Sequence, residues 1–189
     1  MISYGIIVGF VNTCGTITGL MTADYGYSDS TTSLCGAIFI VGGIFGSALF
    51  GGITEVKKNY KFISVFLSCV TIIAPALFLI ALPTDSVAVL GCSCFFIGFF
   101  GLALLPVGLD YAVEITYPVP EAVSCGLMLT SANVFGFTFS VYASILIGVF
   151  DENHDGIKYS MITFIVFIPL ASVIAMFVKE DLRRIKSQE

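Results

Sequence analysis

The chain has 189 residues, of which 57% are hydrophobic and 11% charged, against about 25% charged in an ordinary soluble domain. With a mean hydropathy of +1.01 the solvent it is built for is lipid, and nothing in it resembles a soluble catalytic domain. A net charge of −5 excludes nucleic acid as a partner, because displacing counterions from phosphates needs a basic surface.

In chain order, apolar segments lie at about 1–22, 32–54, 62–82, 87–110, 123–149 and 160–178. Each is long enough to cross ~30 Å of hydrocarbon as a helix. The first starts at Met1 without a basic n-region and is too long for an h-region, so no cleavable signal peptide is expected. The fold expected is all-α: six transmembrane helices in one bundle over 1–178, followed by a tail at 179–189.

Loop charge orients the bundle, because Lys and Arg are retained on the cytoplasmic side. Lys57, Lys58, Lys61, Lys179, Arg183, Arg184 and Lys186 share one side of a six-span arrangement, and only Lys158 falls opposite. Asp24, Asp29, Asp85, Asp151, Glu152 and Asp155 occupy that other side. Both termini are therefore expected in the cytoplasm.

Within the spans, Gly5-x-x-x-Gly9, Gly15-x-x-x-Gly19 and Gly42-x-x-x-Gly46 each clear a helix face for a close neighbour. Pro106-Val107-Gly108 is expected to interrupt the fourth span, where freed backbone groups need new partners. Pro75 and Pro169 read as kinks, and the 18 Phe residues as packing or lipid-facing bulk. The six cysteines, Cys14, Cys35, Cys69, Cys92, Cys94 and Cys125, sit in or beside apolar runs, where a thiol acts as a small hydrophobe. Cys92 and Cys94 are two apart on a helix and share no face, so no metal site is expected. Asp151 to Gly156 starts like a calcium loop, but Ile162 stands where the twelfth-position Glu belongs, leaving a solvated acidic turn with an exposed His154. No helix carries a His/Glu or Ser/His/Asp set, so an intramembrane enzyme is not expected, and no cofactor either.

Two blocks carry a family likeness. Gly51-Gly52-Ile53-Thr54-Glu55-Val56-Lys57-Lys58, with Lys61 following, resembles the Gly-x-x-x-Asp-x-x-basic-basic signature of major facilitator proteins, with Glu55 in place of the usual Asp. Leu105-Pro106-Val107-Gly108-Leu109-Asp110-Tyr111-Ala112-Val113-Glu114-Ile115-Thr116-Tyr117-Pro118, followed by Ser124-Cys125-Gly126-Leu127 and Ser131-Ala132-Asn133-Val134-Phe135-Gly136, closely resembles the tenth and eleventh helices of the feline leukaemia virus subgroup C receptor family. Ser3-Tyr4-Gly5 with Gly9, and Asp181-Leu182-Arg183-Arg184, resemble that family's seventh helix and C-terminus.

The resemblance implies the C-terminal half of a major facilitator transporter that moves a small organic solute by alternating access. That family is implicated in choline, ethanolamine and haem movement. It implies a plasma-membrane location and, as partners, the bilayer, the solute, and either an N-terminal six-helix half or another six-helix chain. Family members place an aromatic residue and a Gln around the amine, and Asn12 and Asn133 stand at the matching positions, with Ser131 beside them. Losing the aromatic face weakens recognition of a quaternary ammonium. Both asparagines are polar groups inside apolar spans, so they must face protein or a wet pathway. Glu55, Lys57, Lys58, Lys61, Asp110 and Glu114 match the charges that clasp cytoplasmic helix ends in such transporters, and Pro106, Gly108, Tyr117 and Pro118 form a helix-breaking motif. The competing readings are a receptor or scaffold that keeps only the helical frame, or an inactive fragment.

The charge bias yields a labelling experiment. An epitope in the loop from Asp151 to Tyr159 should be reachable from outside intact cells, whereas one after Lys186 should need permeabilisation. The reverse pattern would overturn the orientation.

Overall fold

The computed structural model describes residues 2–84, 86–149 and 155–176, all of it helix, turn or short connection. Its elements are α1 (Ile2–Asp24), α2 (Asp29–Lys57), α3 (Tyr60–Thr71), α4 (Ile73–Ala81), a 3-10 turn (Leu82–Thr84), α5 (Val87–Gly101), α6 (Leu104–Thr116), α7 (Glu121–Val149) and α8 (Asp155–Met176). The acidic turn at 151–154 with His154, Asp85, and the basic tail from Lys179 lie outside the described residues.

Five stretches are long and apolar enough to cross a membrane: Tyr4–Thr22, Asp29–Lys57, Tyr60–Thr84, Val87–Thr116 and Glu121–Gly148. α8 is a further apolar helix. The third stretch joins α3 to α4 across Ile72, and the fourth joins α5 to α6 across Leu102 and Ala103.

Both breaks have one cause. Proline has no N–H to give to the carbonyl four residues earlier. Pro75 and Pro106 are each the third residue of the helix after a break, so the orphaned carbonyls are those of Thr71 and Leu102. The interruption expected at 106–108 is therefore displaced: Pro106, Val107 and Gly108 lie inside α6, and the helix opens one turn earlier. Pro169 is likewise inside α8. Tyr117 ends α6 in an extended conformation with ψ 133°, as a residue before proline prefers, and Pro118 follows across a cis peptide.

Two helix pairs form the frame, α1 on α7 and α2 on α5. Glycine sets the distance in both. A Cβ at Gly42 would stand 2.7 Å from the Phe95 carbonyl, one at Gly46 would run into the Phe99 carbonyl, and one at Gly98 would run into that of Phe39. In the other pair, a Cβ at Gly9 would meet Gly136 N at 2.8 Å, and one at Gly5 would meet Ser131 Oγ at 2.7 Å. Gly15 and Gly19 differ from the other two motifs. Their closest neighbours would be Phe39 at 3.5 Å and Thr32 at 3.6 Å, which is ordinary contact, so this third motif is not a tight seam.

α1 is the central helix: Ile7, Val8, Phe10, Val11, Cys14, Ile17 and Met21 are all buried. α2 is its opposite, turning Ile40, Val41, Ile44, Phe45 and Leu49 outward. Phe50, Phe66, Phe95, Phe96, Phe99 and Phe100 form a chain of ring contacts across α2, α3 and α5, while Phe10 and Phe78 are core. Cys92 is exposed and Cys94 buried, on different faces as their spacing requires.

The seam between α2 and α5 predicts an asymmetric alanine response. Gly46→Ala must push two backbones apart and should cost about 1–3 kcal/mol, read as lost folded protein on detergent or thermal challenge. Gly51→Ala, in the same helix with nothing within 4 Å of its Cβ position, should be neutral or slightly stabilising. Equal effects would show that the seam is not the constraint.

Candidate functional site: a polar strip on α1 and α7 and a braced break in α6

Along α1, Asn12, Gly15, Thr16 and Gly19 are part-exposed or exposed, and nearly every other position in that middle stretch is covered. On α7, Thr130, Asn133, Phe137, Ser140 and Ser144 recur at spacings of three and four, which puts them on one helix face. All but the half-buried Ser140 are exposed, Phe137 by 73%. The two strips adjoin. Thr16 and Ser140 share a hydroxyl hydrogen bond of 3.1 Å, and a Cβ on Gly136 would stand 3.6 Å from Asn12 Cβ. α8 covers a different side of α7, joined there by the Tyr142 and Thr163 hydroxyls at 3.1 Å.

Beneath the strip runs a cross-helix bond. Thr13, fully buried, donates from Oγ1 to the Gly9 carbonyl at 2.9 Å and is also 3.1 Å from the Gly136 carbonyl. Asn133 Nδ2 donates to the Leu129 carbonyl of its own helix at 2.9 Å. Its amide is thus held, and Oδ1 remains as an acceptor on an exposed surface. Ser131 lies apart from this strip, against Gly5, with its hydroxyl given to the Met128 carbonyl at 2.7 Å.

The expected helix-break residues act as a brace. The Leu102 carbonyl freed by Pro106 is taken by the Leu105 N–H at 3.1 Å and the Ser47 hydroxyl at 3.3 Å. Gly108 is bare because the Tyr4 ring lies where its Cβ would be, and Tyr4 then donates its hydroxyl to the Leu105 carbonyl at 3.3 Å. So α2 answers the freed carbonyl and α1 packs against the residues that follow it. At the far end of α6, Thr116 and Ser124 hydroxyls meet at 2.6 Å.

Among the expected gating charges, Glu55, Lys57 and Lys58 are exposed around the α2–α3 turn, where Lys58 caps α2 in a left-handed conformation and donates its N–H to the Thr54 carbonyl at 2.8 Å. Lys61 is half-buried and Asp110 exposed. Glu114 is the exception, only 7% exposed.

A cleft of about 310 Å³ beside Lys57 is lined by Phe50, Ile53, Asn59, Phe62, Ile63 and Phe66. The void under Cys14, Thr18, Phe39, Phe78, Cys94 and Met161 is about 10 Å³, room for one water at most. The sequence reading expected Asn12 and Asn133 to line a pathway and did not single out Thr16, Thr130, Phe137, Ser140 and Ser144, which share the strip with them. The alternating three-and-four spacing of polar residues in the α7 run was the available signal.

A helical bundle with five stretches long and apolar enough to cross a membrane is that of an integral membrane protein. By sequence the chain is homologous to FLVCR choline/ethanolamine transporters and to an MFS-type transporter. It is 29% identical to the choline/ethanolamine transporter flvcr2a of Danio rerio over 100% of this chain and 39% of that protein. It is 28% identical to FLVCR2 of Homo sapiens, likewise named a choline/ethanolamine transporter, over 100% of this chain and 35% of that one. An uncharacterized MFS-type transporter of Caenorhabditis elegans is 27% identical over 98% of this chain and 31% of its own length. The chain thus spans between three and four tenths of these curated relatives. No protein-family model matches it.

Proposed function

We propose that this chain is the C-terminal six-helix bundle of a major-facilitator transporter, with α8 as its sixth span, and that it carries a small organic amine of the choline and ethanolamine kind by alternating access. The observation that carries this reading is the strip of Asn12, Thr16, Asn133 and Ser140. Polar groups at the surface of a lipid-embedded bundle cost free energy unless they line a wet path. In this fold the path runs near the midplane between two six-helix bundles. The second bundle is an N-terminal half or another six-helix chain, and both termini of this chain face the cytoplasm, at the plasma membrane. The names of the relatives support the amine, and the Asn133 Oδ1 acceptor suits an amine or hydroxyl donor. The same strip argues against a scaffold role, since a bundle that only packed in lipid would gain by apolar residues there.

Because each bundle supplies one wall, the test belongs in a two-bundle assembly. Asn133→Ala should lower amine uptake per molecule at the membrane severalfold while leaving protein abundance near that of the parent. Loss of abundance with unchanged uptake per molecule would assign Asn133 to packing alone.

A gate goes with this reading. Glu55, Lys57, Lys58 and Lys61 at the α2–α3 turn, and Asp110 and Glu114 on α6, lie at what the proposed orientation makes the cytoplasmic end. Exposed pairs contribute only ~0–1 kcal/mol each, but a set that forms in one state and breaks in the other shifts a two-state balance. Glu55→Lys or Asp110→Lys should therefore move accessibility labelling toward the inward-open state with insertion intact. Labelling identical to the parent would leave the lysines a purely topological role.

A further inference from the structure

Two candidate spans, Asp29–Lys57 and Tyr60–Thr84, end at the turn between α2 and α3, which therefore sits at a membrane surface whichever way the bundle is inserted. The cleft of about 310 Å³ starts at this turn, and its lining changes character along its length. Lys57 and Asn59 stand at the turn, Phe50 and Ile53 continue the wall down α2, and Phe62, Ile63 and Phe66 line it on α3. Phe50 is two helical turns from Lys57, so at 1.5 Å per residue the apolar part reaches about 10 Å below the charged end. Phe62 is 73% exposed and Phe66 44%, which leaves the apolar wall open at the surface of the bundle. The charged end is basic: Lys57 and Lys58 are exposed, Lys61 is half-buried, and Glu55 is the one acid from Gly51 to Lys61. Asn59 precedes α3 without capping it through its side chain, so its amide is not spent on the helix. The larger cleft of about 410 Å³ along Ile40, Ile44, Ser47, Leu105 and Pro106 has no charged residue in its lining.

We propose that the α2–α3 cleft binds an anionic phospholipid, with an acyl chain along Phe50, Phe62 and Phe66 and the phosphate at Lys57, Lys58 and Asn59. A lysine pairs with a phosphate as a point charge, and basic residues at the end of a span draw anionic headgroups from the leaflet beside them. The occupant follows from the two ends together. A free phosphate or an acidic peptide would use the lysines and leave the phenylalanines bare, while a neutral lipid would cover the phenylalanines and give the lysines no anion. An anionic lipid matches both, at the depth where headgroup meets hydrocarbon. The cleft is built by α2 and α3, away from the α1 and α7 strip, and the proposal does not depend on what the transporter carries. Because Lys57, Lys58 and Lys61 also belong to the proposed gate, the readout must be lipid contact itself rather than uptake.

The chain contains no tryptophan, so Phe66→Trp puts a single fluorophore in the cleft and Ile44→Trp puts one beside the uncharged cleft as a control. Each variant is reconstituted in phosphatidylcholine vesicles containing an equal small share of either phosphatidylglycerol or phosphatidylcholine with brominated acyl chains, which quench on contact. In the Phe66→Trp protein, brominated phosphatidylglycerol should quench severalfold more strongly than brominated phosphatidylcholine, and in the Ile44→Trp protein the two should quench alike. Adding Lys57→Gln and Lys58→Gln should abolish the preference, and raising sodium chloride should weaken it by screening. Should the glutamine variant insert poorly, the salt series on Phe66→Trp alone carries the charge test, and should Phe66→Trp fold poorly, Phe62→Trp takes its place. Equal quenching by the two lipids in the cleft, a preference of the same size in the Ile44→Trp control, a preference untouched by salt or by loss of the lysines, or its displacement by inorganic phosphate, which would make this an anion site only, overturns the proposal.

Discussion

In lipid no water is at hand to satisfy an opened backbone, so every freed carbonyl must be answered by the protein itself. That constraint explains why residues far apart in this chain are tied together at α6. Pro106 opens the fourth span, and the freed Leu102 carbonyl is answered by the Leu105 N–H and the Ser47 hydroxyl of α2, while Tyr4 of α1 gives its hydroxyl to the Leu105 carbonyl beside it. Tyr4 reaches its acceptor only because residue 108 is glycine. The proline is thus answered from a serine in the middle of α2, and the glycine two positions later admits the tyrosine of α1 to the same turn.

The same economy governs the two seams. There is no hydrophobic drive between helices already in lipid, so close approach and hydrogen bonds must hold them. The α2–α5 seam uses carbonyl-on-glycine contacts at Gly42, Gly46 and Gly98, and leaves the outer face of α2 purely apolar. The α1–α7 seam adds a hydroxyl bridge at Thr13, and its outer edge continues as Thr16, Ser140 and the two asparagines. The first seam is thus held by close approach alone, the second by close approach and hydroxyl bonds.

Much of this was legible in the sequence. Helix positions follow from apolar runs, and two of the three Gly-x-x-x-Gly motifs are where backbones meet. The third, Gly15 and Gly19, is indistinguishable as a pattern; only the packing reveals that its neighbours stand off. The displaced break in the fourth span has a similar origin. The proline is visible in the sequence, but the fault it causes appears at the acceptor four residues earlier. Ser131 was grouped with Asn133 by proximity in sequence, yet two positions on a helix are about 200° apart, and the structure puts Ser131 against Gly5. Burial of Glu114 was not legible either, since one acid in an Asp-x-x-x-Glu pair looks like the other until the neighbouring helix is in place.

Asp110 and Glu114 are one helical turn apart and so lie on nearly the same face of α6, yet one is exposed and the other covered. The turn between them is where α6 passes under the start of α7, with Thr116 and Ser124 in contact just beyond. Cover there comes from the packing of α3 and α7 on α6 rather than from the chain's own fold around the acid. Any motion that separates the end of α6 from those neighbours would expose Glu114 and leave Asp110 unchanged. Covering a carboxylate carries a cost that falls away when it is solvated, so the exposure of this one residue and the closure of this end of the bundle are linked.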